Sequence, residues 1–104
     1  MNKIIYNIVY NRKKSLNKAG TALVQIGAYL NGRKKYFSTK IYLRPEQWDS
    51  RRLIVKNHPN AFSLNQKIQE QLANIEQLEL SLWKAQRVVT LEKLKELLFK
   101  QSKE

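Results

Sequence analysis

Leu30–Leu43 reads LNGRKKYFSTKIYL, and its second and third residues decide the fold. Asn-Gly between alternating apolar stretches is the strongest short-range mark of a type I′ hairpin, because both turn residues must tolerate positive φ. Ala22–Leu30 (ALVQIGAYL) and Arg33–Leu43 (RKKYFSTKIYL) then pair as antiparallel strands. A two-residue turn fixes the register. Leu30 faces Arg33, Tyr29 faces Lys34, Gly27 faces Tyr36, Gln25 faces Ser38 and Leu23 faces Lys40. One face then carries Val24, Ile26, Ala28, Leu30, Phe37, Thr39 and Ile41, with the stems of Arg33 and Lys35 at its rim. The other carries Leu23, Gln25, Gly27, Tyr29, Lys34, Tyr36, Ser38 and Lys40. The first is a core face; the second is polar, cationic and aromatic.

Working outward, Ile4–Arg12 (IIYNIVYNR) is rich in β-branched and aromatic residues and reads as a further strand. Its alternation leaves two choices for the buried side, Ile4, Tyr6, Ile8 and Tyr10 or Ile5, Asn7 and Val9. The polar connector KKSLNKAG (Lys13–Gly20) ends in a glycine suited to a turn. Beyond the hairpin, Pro45 bars Arg44 from helix and Trp48 offers a large apolar lid for the core. Ser50–Lys56 reads as a short extended piece, and Asn60 is placed to cap a helix.

From Ala61 to about Gln86 the period becomes helical. Leu64, Ile68, Leu72, Ile75, Leu78 and Leu82 form one apolar stripe, the natural cover for the sheet. A second helix is expected from Leu91 to about Gln101, capped by Thr90. The expected class is α+β: a three-stranded antiparallel sheet covered on one face by a long helix (β-β-β-α), with a second C-terminal helix. The expected organisation is 1–60 for the sheet, 61–88 for the covering helix and 89–104 for the C-terminal helix, a candidate linker to a further domain.

Charge narrows the function. The 104 residues hold 20 Lys+Arg against 8 Asp+Glu, formally +12. Residues 1–56 contain 13 cations and 2 anions, and residues 57–104 contain 7 and 6. An excess confined to one half points to a polyanion, with nucleic acid ahead of an anionic membrane surface. There is no cysteine, so no disulfide or thiolate site arises, and no apolar run nears the roughly 20 residues of a membrane helix. Ile4–Tyr10 lacks the pattern of a signal peptide. Catalysis has little to work with: His58 is the one histidine and lies before a proline in a loop, without an evident oriented partner. No phosphate-cradling loop, paired carboxylates or metal-ligand spacing is present. The glutamates of the second half read as a solvated helix face.

Nucleic-acid binding has the parts it needs. Arg12, Lys13, Lys14, Arg33, Lys34 and Lys40 are the candidate phosphate contacts. Gln25, Tyr29, Tyr36 and Ser38 are the candidates for base or sugar contact. Gly27 beside Tyr36 flattens the sheet surface and admits a close backbone. The major groove accepts a small sheet about as well as a helix. An RNA- or single-strand-binding domain is the alternative, since cationic aromatic sheets also stack unpaired bases. A protein-interaction module built on the Leu64–Leu82 stripe is a third class.

The order of these elements resembles the N-terminal arm-type DNA-binding domain of tyrosine recombinases, in the form found in integrases of phages and conjugative transposons. The residues that carry the resemblance are Gly20, Val24–Leu30, Asn31-Gly32-Arg33, Phe37-Ser38-Thr39, Ile41, Leu43, Pro45 and Trp48-Asp49. The chain departs from that pattern at Gly27, near which the family often has a basic residue, and at Lys40, near which it often has a glycine. The resemblance implies a sheet inserted into the major groove of arm-type sites flanking a recombination core. It also implies a longer protein with core-binding and catalytic domains, so this chain is expected to be a non-catalytic module. None of its tyrosines matches a nucleophile motif. The expected partner is double-stranded DNA, with other recombinase subunits as a further one. No cofactor, metal, membrane or small-molecule substrate is expected, and the expected location is the cytoplasm.

Overall fold

The computed structural model describes residues 3–101. Three strands, β1 (Ile5–Tyr10), β2 (Ala22–Leu30) and β3 (Arg33–Leu43), form an antiparallel sheet with β2 in the centre. A second, two-stranded ribbon follows, β4 (Trp48–Asp49) with β5 (Ile54–Val55). Among the described residues two α-helices follow, α1 (Ala61–Lys84) and α2 (Leu91–Gln101). The class is the α+β arrangement expected.

The β2–β3 turn has Asn31 at φ 52° and Gly32 at φ 78°, the two positive values that a type I′ turn requires. The register from Leu30↔Arg33 to Gln25↔Ser38 is the one fixed by that turn. Beyond it the expectation for Leu23 fails. Leu23 pairs with Tyr42, not Lys40, because β3 bulges between Ser38 and Ile41. Lys40 takes φ 62° there, a left-handed conformation that favours glycine, at the point where the resembled pattern often has one.

The bulge frees backbone groups, and local side chains satisfy them. Ser38 Oγ accepts from Lys40 N, Thr39 Oγ1 accepts from Ile41 N and donates to Val24 O, and Gln71 Nε2 of α1 donates to Thr39 O. The register slips by two residues, so the inside-outside alternation survives. Thr39, Ile41 and Leu43 remain buried, and Tyr42 is exposed.

β1 resolves in favour of its tyrosine side. Ile4, Tyr6, Ile8 and Tyr10 pack into the core, leaving Ile5 and Asn7 exposed. The core forms two neighbouring clusters. One joins Ile4, Ile26, Ala28 and Leu30 to Ile75 and Leu82 of α1 and to Leu91 and Leu94 of α2. The other joins Val24, Ile41 and Leu43 to Trp48, Val55 and Ile68. Trp48 is the expected lid, stacked on Tyr10 with ring centroids 5.8 Å apart. Asn65 clamps β5 to α1 through both the N–H and the carbonyl of Val55.

The α1 stripe is spent on the sheet: Ile68, Ile75 and Leu82 are buried, and Leu64, Leu72 and Leu78 are half-buried. That removes the surface on which a protein-interaction module was considered. Thr90 caps α2, its Oγ1 accepting from Lys93 N. Asn60 makes no side-chain cap on α1; its carbonyl accepts from Leu64 N, while its own N–H donates to His58 Nδ1. His58 therefore shapes a turn.

One helical residue contradicts the expectation of a solvated glutamate face. Glu79 is 3% exposed. Its carboxylate accepts from Ile4 N (3.1 Å), Tyr6 Oη (2.9 Å) and Trp83 Nε1 (3.0 Å). Residue 79 lies four after Ile75 and three before Leu82, on the apolar stripe itself. The carboxylate ties β1 to α1, and burial followed by the Glu79 hydrogen bond raises the Tyr6 phenol well above its ordinary range.

Candidate nucleic-acid interface

Covering one face of the sheet with α1 and α2 leaves the other open. Pleating assigns to that face Ile5, Asn7 and Val9 of β1, Leu23, Gln25, Gly27 and Tyr29 of β2, and Lys34, Tyr36, Ser38 and Tyr42 of β3. None of these is acidic, and the chain has no Asp or Glu before Glu46. Its positive charge comes from Lys34 and from Arg12, Lys13 and Lys14 in the adjoining turn, and no carboxylate of the face neutralises it.

Arg12 sits at its centre of interactions. The turn after β1 holds it: Asn11 at φ 53° donates its N–H to Leu23 O, and its carbonyl and side chain accept from Lys14 N and Ser15 N. The Arg12 guanidinium then lies over the Tyr36 ring, 4.3 Å from guanidinium carbon to centroid. Its Nε donates to Gln25 Oε1 at 3.4 Å. Lys34 Nζ lies 5.9 Å from the Tyr29 centroid, near the outer limit for a cation–π contact. The adjoining Tyr36 hydroxyl, hydrogen-bonded to Tyr29, raises the Tyr29 phenol above its ordinary value.

Gly27 lies between Asn7 of β1 and Tyr36 of β3 on this face. A Cβ there would collide with Asn7 Oδ1 and sit 3.2 Å from Tyr36 Cε1. The missing side chain lets Asn7 and Tyr36 close over the strand.

The remaining candidates are dispersed. Lys13 and Lys14 are exposed in the β1–β2 turn. Ser38 is exposed, with its Oγ turned to the Lys40 amide. Lys40, carried by the bulge, lines a groove between β3 and the helices with Phe37, Gln71 and Asn74. Arg33 lies on the helix side of the hairpin tip, paired with Glu92 of α2 at 3.6 Å. The structure thus gathers Arg12, Gln25, Tyr29, Lys34 and Tyr36 on one surface and sets Arg33 apart.

Sequence reasoning missed Asn7, Leu23 as a partner of Tyr42, and Tyr42 itself on this face. Asn7, the one polar residue within Ile4–Tyr10, was the available sign of the outward side of β1. The alternation of β3 already placed Tyr42 on the outer side; the bulge changes only its partner, bringing it opposite Leu23.

Among the described residues no helix is long and apolar enough to cross a membrane, and no cluster of three metal-ligating side chains occurs. A family model described as an arm DNA-binding domain matches residues 9–95. No curated protein and no solved structure matches the chain.

Proposed function

We propose, from the premise that the chain belongs to the arm DNA-binding domain family, that its open sheet face enters the major groove of duplex DNA. DNA as the partner follows from the family; the face and the groove are our reading. The observation that carries it is the acid-free surface around Arg12, Gln25 and Tyr36. Three strands about 4.8 Å apart make a blade roughly 10 Å wide, matching a major groove of about 12 Å.

The alternative, stacking of unpaired bases, needs bare aromatic faces. Here the Arg12 guanidinium covers Tyr36 and Lys34 lies over Tyr29. That leaves Tyr42 as one exposed ring on this face where stacking of successive bases needs several, and that favours the duplex reading. Lys13, Lys14, Lys34 and Lys40 would meet phosphates on either side of the groove. With these four phosphate contacts, log K should fall against log salt with a slope of about −3 to −4.

Within a longer site-specific tyrosine recombinase, this module would hold the protein at arm-type sites and raise its effective concentration at the core site. Integration and strand exchange would then be the work of further domains following α2, with the C-terminal helix leading toward them or meeting another subunit. Such a protein would work in the cytoplasm.

Fluorescence anisotropy with random duplex DNA, single-stranded DNA, double-stranded RNA and duplexes recovered by selection tests this across a salt series. A selected duplex should bind at least a hundredfold more tightly than a random one. A preference for single strands or RNA would overturn the reading.

A further inference from the structure

The geometry points to Arg12 as a base-reading residue for guanine, held in its reading position by Gln25 and Tyr36; this rests on the duplex reading above. Three observations converge. The turn at Asn11 fixes the Arg12 backbone against β2 through the Asn11 N–H to Leu23 O bond. The guanidinium plane is supported by the Tyr36 ring at 4.3 Å. Its Nε is already engaged by Gln25 Oε1, and no carboxylate pairs with it among the described residues.

What remains for a ligand is the end of the fork, Nη1 and Nη2. Two parallel donors in one plane match the O6 and N7 acceptors that guanine presents in the major groove. A phosphate contact, expected for Arg12 from the sequence, needs charge but no such restraint. Lys13 and Lys14 beside it are exposed; they supply charge and suit phosphates better. The other cations of this face lack the arrangement: Lys34 has a ring at 5.9 Å but a single, freely rotating ammonium. Arg33 is turned to Glu92.

Gln25 then acts through Arg12 as a positioning residue rather than touching a base. Its amide oxygen selects which edge of the guanidinium faces outward. Tyr36 limits rotation about the long side chain, so less rotamer freedom is lost when DNA arrives.

The test pairs protein and DNA substitutions. Duplexes are selected with wild type, Arg12→Lys and Gln25→Ala, and their folds are checked by circular dichroism. Arg12→Lys keeps the charge, so affinity for random duplex and the salt slope should hold. Affinity for the wild-type selected site should fall about ten- to a hundredfold, and preference for guanine at one position should weaken, because a lysine offers no fixed fork. Gln25→Ala should weaken that same preference and no other. Replacing that guanine by 7-deazaguanine, which lacks N7, should weaken wild type more than Arg12→Lys. If Arg12→Lys recovers the same site with the same affinity, Arg12 is a phosphate contact and the inference is overturned while the duplex reading stands. If wild type selects no duplex, both are overturned.

Discussion

Replacing Glu79 gives the sharpest stability test, because the carboxylate holds three donors at once. Ile4 N is buried with its residue, whereas Tyr6 and Trp83 are half-buried. A buried donor left unpaired costs roughly 1–3 kcal/mol, toward the low end where water can reach it. Glu79→Ala strands all three and opens a small void, so it should lose about 3–5 kcal/mol. Glu79→Leu fills the void but still strands the donors, and should lose about 3 kcal/mol. Glu79→Gln differs in kind. Its amide oxygen can accept from Ile4 N and Trp83 Nε1, which share Oε2 in the structure. The Tyr6 hydroxyl can rotate to accept from the amide nitrogen. Charge assistance is lost, but so is the cost of burying an ion, leaving a deficit of about 1 kcal/mol. Urea titration followed by far-ultraviolet circular dichroism reads all four proteins. If Glu79→Ala and Glu79→Leu both fall within about 1 kcal/mol of wild type, the account of Glu79 as the tie between β1 and α1 is wrong.

Other perturbations divide fold from binding. Tyr36→Ala should leave the circular dichroism spectrum unchanged yet weaken duplex binding by about tenfold, since it removes the support under Arg12. Phe37→Ala, on the half-buried inner face, should cost about 2–3 kcal/mol by denaturation, below the range for a fully buried phenylalanine. Lys40→Gly should hold or raise stability, by up to about 1 kcal/mol, by relieving the φ of 62°, while making the salt dependence of DNA binding shallower; a clear loss of stability would contradict the bulge. With pH, the sign follows from Tyr6, whose phenol is raised by burial and by Glu79. The unfolded phenol ionises near pH ~10 while the folded one keeps its proton. The stabilisation is complete below that pH and falls above it, and Tyr6→Phe should flatten that decline in denaturation midpoints measured from pH 8 to 11.

The parts of the fold legible in the sequence were those set by local chemistry. Asn31-Gly32 permits few turns, so strand bounds, register near the tip and the division into faces all followed from it. The α1 stripe and the Thr90 cap were similarly local. The bulge was not legible, because it depends on Thr39 and Ser38 bonding their neighbours and on Gln71 arriving from a distant helix. The buried side of β1 was undecided for a related reason: both of its faces carry apolar residues, and the tyrosine side won by meeting Glu79 and Trp48. Glu79 was misread because two of the three donors that give a carboxylate on an apolar stripe its meaning, Ile4 N and Tyr6 Oη, lie 75 and 73 residues away in sequence. On the interface, charge and aromatic content pointed to the right kind of ligand. The contact of Arg12 with Gln25 and Tyr36 needed the turn at Asn11, whose positive φ no short motif announced.

The central claim is that duplex DNA meets the open sheet face. It is tested most directly by titrating a selected duplex into isotopically labelled protein and following backbone amide shifts by NMR. The account predicts the largest changes at Arg12, Lys13, Leu23, Gln25, Tyr29, Lys34, Tyr36 and Ser38, with Glu70, Gln77 and Glu96 on the helices unmoved. Changes centred on α1 and α2, with the sheet's outer face undisturbed, would contradict it.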